Sequence, residues 1–444
     1  MPSGGERLCI GQMRARCHLA RLLALGAFVA LPAKELFVAP DGSDAHPGSR
    51  EKPLVSLMKA QELAVAGDTV WIRGGVYKAK PDQVARTQRI WSYIHYFGKS
   101  GQPGKPIRYW AYADEKPVFD CADVAPPDRR INAFQVMGSW LHFRGFEVTG
   151  TQVNFKGHGQ SCNVENHGSH NIFERLSLHD SQAIGIYALD GSDNLFLNCD
   201  AYRNHDHTSE DGRGGNVDGF GGHPSKGSVN NVFRGCRAWF NSDDGYDCIS
   251  SREAVRFEQC WAMYNGYGPK FEKRGDGNGF KVGGYGNRPL QPVPDPAPRH
   301  VTEGCLAVRN KASGFYANHH LIGGDWSFNS AYRNANDFNF LMRPPDNSEE
   351  MDGVGHRVVA NLSFKGLRDV VRLNVAKCEL KDNAFASESR FTEAAFESLD
   401  EATLVGPRQA DGSLPKVAFL RPKDSRLAAQ AGYTAYPGPT PVAK

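Results

Sequence analysis

The segment Asn241-Ser-Asp-Asp-Gly-Tyr-Asp247 carries three carboxylates within seven residues. Carboxylates this close repel one another unless a cation lies among them, so a metal site is the first hypothesis. Two related segments flank it, Val217-Asp-Gly-Phe220 upstream and Asn278-Gly-Phe-Lys281 downstream. All three contain a polar residue, a glycine and an aromatic residue in that order. This recurrence predicts a repeat protein that presents charged residues at equivalent positions of successive units.

A longer template gives the length of the repeating unit. It places Ala two residues after its first position and Asn five residues after it, and the Asn positions are spaced by 37, 24, 45 and 24 residues. The unit is therefore 24 residues long, with insertions at about 205–217 and 266–278. Such a unit of short β-segments without helices predicts an all-β parallel β-helix of about 8–10 coils. The five copies of the template are Cys199–Asn204, Cys236–Asn241, Cys260–Asn265, Cys305–Asn310 and Asn329–Asn334.

Stacked coils turn each repeated position into a column of like side chains, roughly 4.8 Å apart along the axis. The first column, Cys199, Cys236, Cys260 and Cys305, is predicted to be a buried ladder of thiols, with disulfides or a metal site as the alternatives. The template Asn residues are predicted to bond along the stack through their amides. The aromatic residues that follow the glycines should form a third ladder, made of Phe220, Tyr246, Phe280, Phe315 and Phe338.

The N-terminus has the layout of a secretory signal. Arg14, Arg16 and Arg21 precede the apolar run 22–31, and cleavage after Ala33 is expected. A membrane anchor is the alternative, but ten apolar residues are too few to span a bilayer. We therefore predict a secreted protein, extracellular or periplasmic, with no membrane partner after cleavage. Met13 is an alternative start.

The remaining chain divides into three parts. Residues 34–80 are predicted to cap the β-helix, with a helix over 53–66 and a strand over 69–77, and another strand is expected over 107–112. The β-helix with this cap covers 34–385, and 386–444 is interpreted as a C-terminal cap segment and loose tail. The net charge of +3, with 23% charged residues, gives no global polyanion-binding field, so nucleic acid is excluded and any acidic ligand must be held by local groups. A monomer is expected.

Aligning the coils on the glycine–aromatic pair produces two polar columns. Asp218, Asp244, Asn278 and Ser313 precede the glycine, and Gly221, Asp247, Lys281 and Tyr316 follow the aromatic residue. Strict alternation would send these columns to opposite faces, so a bend at the glycine is needed to bring both to the outside. With that bend, two adjacent coils gather four carboxylates, and Lys281 lies one coil further, roughly 5 Å from Asp247. The carboxylates belong to Asp218, Asp243, Asp244 and Asp247.

Four carboxylates without His or Cys are hard oxygen ligands, which suit calcium, although a solvated turn is the alternative reading of each Asp-Gly. Lys281 is either a counter-charge or a general base whose pKa is lowered by a nearby cation. The second reading supports β-elimination on a uronic acid, in which Lys281 removes the C5 proton and the C4–oxygen bond breaks. The predicted partner is an acidic polysaccharide.

Three segments carry a resemblance to a known family. Asn216-Val-Asp-Gly-Phe220, Ser242-Asp-Asp-Gly-Tyr-Asp247 and Gly277-Asn-Gly-Phe-Lys-Val-Gly-Gly284 resemble the active-site coils of polysaccharide lyase family 9. The cap 36–77 is also similar, so the resemblance covers about 35–385. It implies a right-handed β-helix and a pectate lyase acting on polygalacturonate, or a rhamnogalacturonan lyase. It also implies calcium ligation by the four Asp residues and Lys281 as the base.

Two rival functions stay open at this point. A polygalacturonase-like hydrolase also uses paired Asp residues, but it would leave Lys281 unexplained. A carbohydrate-binding or adhesin β-helix would use the carboxylates for structural calcium only. Candidate substrate-binding residues in or beside the insertions are His207, Lys270, Lys273 and Arg274.

Overall fold

The computed structural model describes residues 33–286, 293–385, 392–424 and 432–435. The predicted signal segment 1–33 lies almost wholly outside the described residues. The same holds for 386–391, 425–431 and 436–444 of the predicted C-terminal segment. Within the described ranges the chain winds through three parallel sheets, which form the faces of a β-helix. Ten turns contribute one strand to each sheet, from Thr69–Ile72 to Arg368–Val371. The predicted parallel β-helix is confirmed.

Each sheet takes one strand from each coil in chain order, and the third sheet has two further short strands that pair antiparallel, Arg86–Gln88 and Val153–Asn154. The first sheet contains Glu35–Val38, Thr69–Ile72, Ile107–Ala111, Leu141–Arg144, Ile172–Glu174, Leu195–Leu197, Asn231–Arg234, Val255–Glu258, Val301–Glu303, Asp325–Ser327, Arg357–Val359 and Glu379–Lys381. The second contains Gly75–Lys78, Pro117–Asp120, Glu147–Thr149, Ser177–His179, Asp200–Tyr202, Arg237–Trp239, Trp261–Met263, Leu306–Val308, Ser330–Tyr332, Leu362–Phe364 and Ala384–Phe385.

The third sheet carries the site. It contains Arg86–Gln88, Trp91–Phe97, Arg129–Val136, Val153–Asn154, Cys162–Asn166, Ile184–Ala188, Phe220–Gly222, Tyr246–Asp247, Phe280–Lys281, Ser313–Tyr316, Asn336–Asn339 and Arg368–Val371. A separate antiparallel pair joins Leu341–Met342 to Met351–Asp352. The helices are the α-helix Leu57–Leu63 and the 3-10 turns Pro81–Gln83, Val375–Lys377, Glu393–Ala395, Glu401–Val405 and Gly432–Ala435.

The aromatic ladder forms the core beneath the third sheet. Phe220 and Tyr246 stack with ring centroids 5.1 Å apart, and Tyr246 and Phe280 stack at 4.6 Å. Phe315 and Phe338 continue the stack at 5.0 and 4.9 Å. Offset stacking adds to the burial of these large apolar surfaces, so the ladder fixes the axial spacing of the coils above which the polar columns lie. The predicted aromatic ladder is confirmed.

The thiol ladder is also confirmed as buried and unbridged. All eight cysteines of the described residues are free, and Cys199, Cys236, Cys260 and Cys305 are fully buried. Each of the four thiols donates to the carbonyl of an aromatic residue in the preceding coil, as Cys236 does to Phe196 O at 3.3 Å. Burial raises the pKa of the Cys260 thiol well above its ordinary value. These thiols act as small apolar core residues.

The asparagine ladder satisfies backbone groups at one bend of each coil. Asn265 Nδ2 donates to Asn310 Oδ1 at 3.0 Å and to Ala238 O at 3.1 Å, and its Oδ1 accepts from Asn241. The same pattern repeats along the stack and ends where Asn334 Nδ2 donates to Asp337 Oδ1 at 2.9 Å. Each amide therefore joins three coils, as predicted from the sequence.

Replacing Asn265 with Ala is expected to lower the free energy of unfolding by about 1–3 kcal/mol, because buried donors and acceptors lose their partners. Urea unfolding monitored by circular dichroism measures the change. Asn154, whose exposed amide bonds a single carbonyl, is the control, and Asn154→Ala should cost little. Equal losses of unfolding free energy in the two variants would mean that the ladder amide stabilises the fold no more than an exposed amide does.

The N-terminal cap differs in detail from the prediction. The helix spans Leu57–Leu63 rather than 53–66, because Ser56 accepts the Lys59 amide and begins it there. The strand expected over 69–77 is two strands in two different sheets, Thr69–Ile72 and Gly75–Lys78. The corner between them uses Gly75 at φ +116°, a conformation open to glycine.

The C-terminal segment 392–424 has a role that the sequence did not indicate. Leu404, Phe419 and Leu420 are buried in one apolar cluster with Trp261 and Tyr332, which lie on the outer face of the second sheet. Polar contacts fix the same segment, since Arg237 donates to Leu404 O and Gly406 O, and both Arg237 and Arg408 pair with Asp200. This part of the chain covers the side of the β-helix. None of the helices in the described ranges is long and apolar enough to cross a bilayer.

Candidate active site

Three adjacent strands of the third sheet position the charged residues. The register pairs Gly221 with Asp247 and Asp247 with Lys281, one coil apart in each case. Because Phe220, Tyr246 and Phe280 point into the core, alternation sends the residues after them outward. The column predicted to follow the aromatic residues therefore lies on the outer face.

The second predicted column reaches the same place. One carboxylate oxygen each from Asp218, Asp244 and Asp247 lies within 4.8 Å of the others. The bend that allows this passes through Gly245, where a Cβ atom would approach Gly279 O to 2.6 Å and Asn265 Nδ2 to 2.8 Å. Only glycine fits between the coils at that point, so the backbone can turn both columns toward one site.

Backbone amides orient the three carboxylates. Asp218 Oδ1 accepts from Asp244 N at 3.1 Å, and Asp247 Oδ1 accepts from Ile249 N at 2.7 Å. Asp244 Oδ1 accepts from both the backbone amide and the side-chain amide of Asn278, at 2.6 and 2.9 Å. Each carboxylate is held through one oxygen, which leaves the other turned toward the cluster. Two of these supports, Asp244 N and Asn278, come from the neighbouring coil, so the stacking of the coils fixes the carboxylates.

Lys281 closes the cluster from the next coil. Its Nζ lies 3.1 Å from Asp244 Oδ2 and 3.1 Å from Asp247 Oδ2, and its side chain is 12% exposed. Burial disfavours the ammonium, but the surrounding carboxylates outweigh burial and hold the pKa of Lys281 well above its ordinary value. The amine is therefore charged while these carboxylates are uncompensated.

The cluster carries more negative charge than Lys281 can balance. Burial, followed by repulsion from Asp247, raises the pKa of Asp218 well above its ordinary value, and burial likewise raises the pKa of Asp244 against the attraction of Lys281. Three oxygen donors with one cationic neighbour suit a hard divalent cation such as calcium. A bound cation would relieve this repulsion, so the donor set fits a metal site.

Asp243 lies outside the group of three. Its Oδ1 accepts from the backbone amide of Asp276 at 2.6 Å, so it anchors the second insertion. It remains near enough to raise the pKa of Asp218. The structure thus brings together three of the four predicted ligands directly and places Asp243 beside them.

Both insertions lie against the cluster. The first is held by a fully buried ion pair, Arg130 Nη2 to Asp206 Oδ2 at 2.8 Å, and by Ser242 Oγ donating to Gly214 O at 2.7 Å. The second reaches Asp243 through Asp276. The insertions therefore form walls of the site, as their positions in the sequence predicted.

The predicted substrate-binding residues lie on these walls with different exposure. His207, Lys270 and Lys273 are exposed. Arg274 pairs with Glu272 at 2.7 Å, and its charge helps to lower the pKa of His205, for which burial is the larger cause. None of these contacts tests substrate binding, so the four assignments stay predictions.

Sequence reasoning missed two side chains beside the cluster. Tyr187 pairs with Gly221 in the register, and its ring lies 4.7 Å from that of His223. The Gly–aromatic pattern could not find Tyr187, because its coil reads Gly185-Ile186-Tyr187 with an aliphatic core residue. A pattern of glycine followed by any apolar residue would have included this coil.

A sequence model described as the Pel9A-like right-handed β-helix region matches residues 36–356. The chain belongs to this family. A pectate lyase L of Dickeya chrysanthemi is 32% identical over 391 residues, covering 87% of this chain and 83% of the relative. Pectate lyase PEL9 of Emericella nidulans is 28% identical, covering 89% and 94%. The match confirms the right-handed β-helix and the resemblance found in the sequence.

Two solved structures extend the comparison. A rhamnogalacturonan lyase superposes with a TM-score of 0.86 and 41% identity over 90% of this chain and 98% of its own. Pectate lyase Pel9A superposes at 0.68 with 28% identity over 88% and 90%. This member of the Pel9A-like family is a polysaccharide lyase, and the prediction of an enzyme of that class is confirmed.

Proposed function

We propose that this lyase is calcium-dependent and cleaves a uronic-acid polymer by β-elimination, with Lys281 as the base. The convergence of three carboxylates with one amine on the outer face of the third sheet carries the proposal. Asp218, Asp244 and Asp247 would hold the cation, with Asp243 beside them as the fourth predicted ligand. The N-terminal charge and apolar pattern adds secretion to the proposal, and a monomer remains the expected state.

The residues of the chain have separate tasks in this reaction. Bound calcium would draw electron density from the uronate carboxylate and make the C5 proton more acidic. The amine of Lys281 takes that proton, and the electrons of the C5–H bond form the C4–C5 double bond. The C4–oxygen bond then breaks, and the leaving oxygen takes a proton from solvent. The negative charge of the surrounding carboxylates keeps Lys281 protonated. Its amine can act as a base only when that charge is balanced.

Two polymers are candidate substrates. Polygalacturonate is the substrate predicted from the sequence, and the pectate lyase relatives support it. Rhamnogalacturonan is favoured by the higher identity to the rhamnogalacturonan lyase structure, 41% against 28% for Pel9A. Ultraviolet absorbance of the unsaturated product on each polymer decides between them. Hydrolysis without that chromophore would instead support a glycoside hydrolase.

Removing calcium with a chelator is expected to abolish product formation at alkaline pH, and adding calcium should restore it. Calcium at 100 times its Kd should also stabilise the fold by about 2.7 kcal/mol, because binding is linked to folding. Thermal unfolding with and without calcium measures this second effect independently of activity.

Asp244→Asn provides the matched test, since it removes one charge from the cluster while keeping the shape of the side chain. The calcium concentration that gives half-maximal activity should be at least about tenfold higher in this variant, as expected for the loss of a charged ligand. Asp211→Asn, in the exposed part of the first insertion, is the control and should behave like the unmodified protein. Full activity in chelator, or no effect of Asp244→Asn, would overturn the calcium assignment.

A further inference from the structure

A cavity opens on the third sheet, separate from the Asp cluster. Its volume is about 450 Å³, and it lies toward the N-terminal end of the β-helix. Aromatic and polar side chains share its lining, an arrangement that suits sugars, whose faces are apolar and whose edges carry hydroxyl groups. The lining includes Trp91, Tyr93, Gln135, Glu165, His167 and Tyr187.

The cavity lies in line with the Asp cluster. The register links Glu165 to Tyr187, Tyr187 to Gly221 and Gly221 to Asp247, which is three steps along one outward column. At about 4.8 Å for each step, Glu165 is roughly 14 Å from Asp247 along the axis. Tyr187 lies between them, and the charges of both Glu165 and Asp247 contribute to raising its pKa after the larger effect of burial. A polymer bound at the cluster and running along this column would reach the cavity.

The floor of the cavity is built from fixed polar groups. Glu165 is 8% exposed, its Oε2 accepts from Asn132 Nδ2 at 2.6 Å, and its Oε1 lies 3.1 Å from His167 Nε2. The other ring nitrogen of His167 lies 2.7 Å from Asp190 Oδ2. Since both ring nitrogens face carboxylates, the imidazole donates from both and is held as the cation. The Glu165–His167–Asp190 group then carries one net negative charge.

Gln135 supplies an independent sign of a ligand. It precedes Glu165 in the same outward column, is 4% exposed, and its buried Oε1 has no hydrogen-bond partner among the described residues. A buried amide oxygen without a donor is unfavourable by about 1–3 kcal/mol, so turning this oxygen toward the cavity to accept from a ligand hydroxyl would be favourable. Trp91, whose indole nitrogen donates to Gln160 O at 2.8 Å, lines the same cavity and offers an apolar platform.

We propose that this cavity is a subsite for an uncharged, hydroxyl-rich sugar unit of the polymer. The floor presents two acceptors, the carboxylate of Glu165 and the amide oxygen of Gln135, which bind hydroxyl donors and which a uronate carboxylate cannot satisfy. Arg86 and Arg89 also line the cavity, so its preference rests on these acceptors and not on net charge; Arg86 donates to Gln88 Oε1 at 3.0 Å and lies over the Tyr96 ring. The subsite rests on the proposed function, and it selects a polymer that contains neutral sugars, as rhamnogalacturonan does, over polygalacturonate.

Glu165→Gln and Gln135→Leu test the subsite. Both should raise KM for rhamnogalacturonan about tenfold while kcat stays within about twofold, because the reacting groups are untouched. Neither should weaken binding of polygalacturonate. Glu174→Gln is the matched control, since Glu174 makes the same kind of pair with His142, at 2.9 Å, but on the first sheet outside the cavity.

Binding measured without turnover separates this inference from the proposed reaction. Calorimetry with rhamnogalacturonan oligosaccharides and the Lys281→Met protein should show the same tenfold loss in the two cavity variants and none in Glu174→Gln. Inactivity of the unmodified enzyme would overturn the reaction but leave this binding result intact. No loss in the cavity variants, or equal losses on rhamnogalacturonan and polygalacturonate, would overturn the subsite.

Discussion

Replacing Lys281 with Met is expected to lower kcat by about 10³-fold, within the range that general bases contribute. Met keeps the length and apolar stem of the side chain but cannot accept the C5 proton. Calcium and substrate should still bind, because the proposed ligands and the groove walls are unchanged. The measurement is the rate of unsaturated product at saturating calcium, together with substrate binding by calorimetry.

The same substitution makes a second prediction about stability. Lys281 balances Asp244 and Asp247 at 3.1 Å each, so its loss leaves buried carboxylates uncompensated in the absence of calcium. The Lys281→Met protein should therefore gain more thermal stability from calcium than the unmodified protein does. Lys226→Met, at an exposed position of a neighbouring turn, is the control for both measurements. Retained turnover in Lys281→Met would assign the amine to charge balance alone.

The residues at the centre of this site could be predicted from the sequence because the chain is built from repeats. In a stack of coils, residues at the same position of the unit must become neighbours, so aligning Gly219, Gly245 and Gly279 placed Asp247 beside Lys281. The glycines also signalled the bend, since a Cβ at these positions would strike the next coil. Long-range contact was predictable here because it follows from local periodicity.

Contacts that do not repeat were not predictable in this way. Asp243 follows Ser242 at the start of the bend, and its orientation depends on the Asp276 amide, which belongs to an insertion. The docking of 392–424 on the second sheet depends on Asp200 meeting Arg237 and Arg408, and Arg408 lies 208 positions from Asp200 in the sequence. Neither arrangement leaves a periodic trace in the sequence.

Arg130→Met is expected to lower the free energy of unfolding by about 3–5 kcal/mol, because it leaves the carboxylate of Asp206 buried without its partner. Both side chains are 0% exposed and lie 2.8 Å apart. Arg130 also donates to Gly157 O, and Asp206 accepts from Ser209 N at 2.9 Å. The pair thus joins a strand of the third sheet to two loops, one of which is the first insertion that precedes Asp218.

The double variant Arg130→Met with Asp206→Asn separates the contribution of the uncompensated carboxylate to this loss of stability from the contribution of lost packing. Removing both charges eliminates the uncompensated carboxylate, so the double variant should be more stable than Arg130→Met alone, and the cycle gives the coupling free energy. Urea unfolding of the four proteins measures it. Activity should fall in all three variants, since the insertion that walls the site loses its anchor. Additive losses of stability would mean that Arg130 acts through packing, and the pair would then not be what holds the insertion against the Asp cluster.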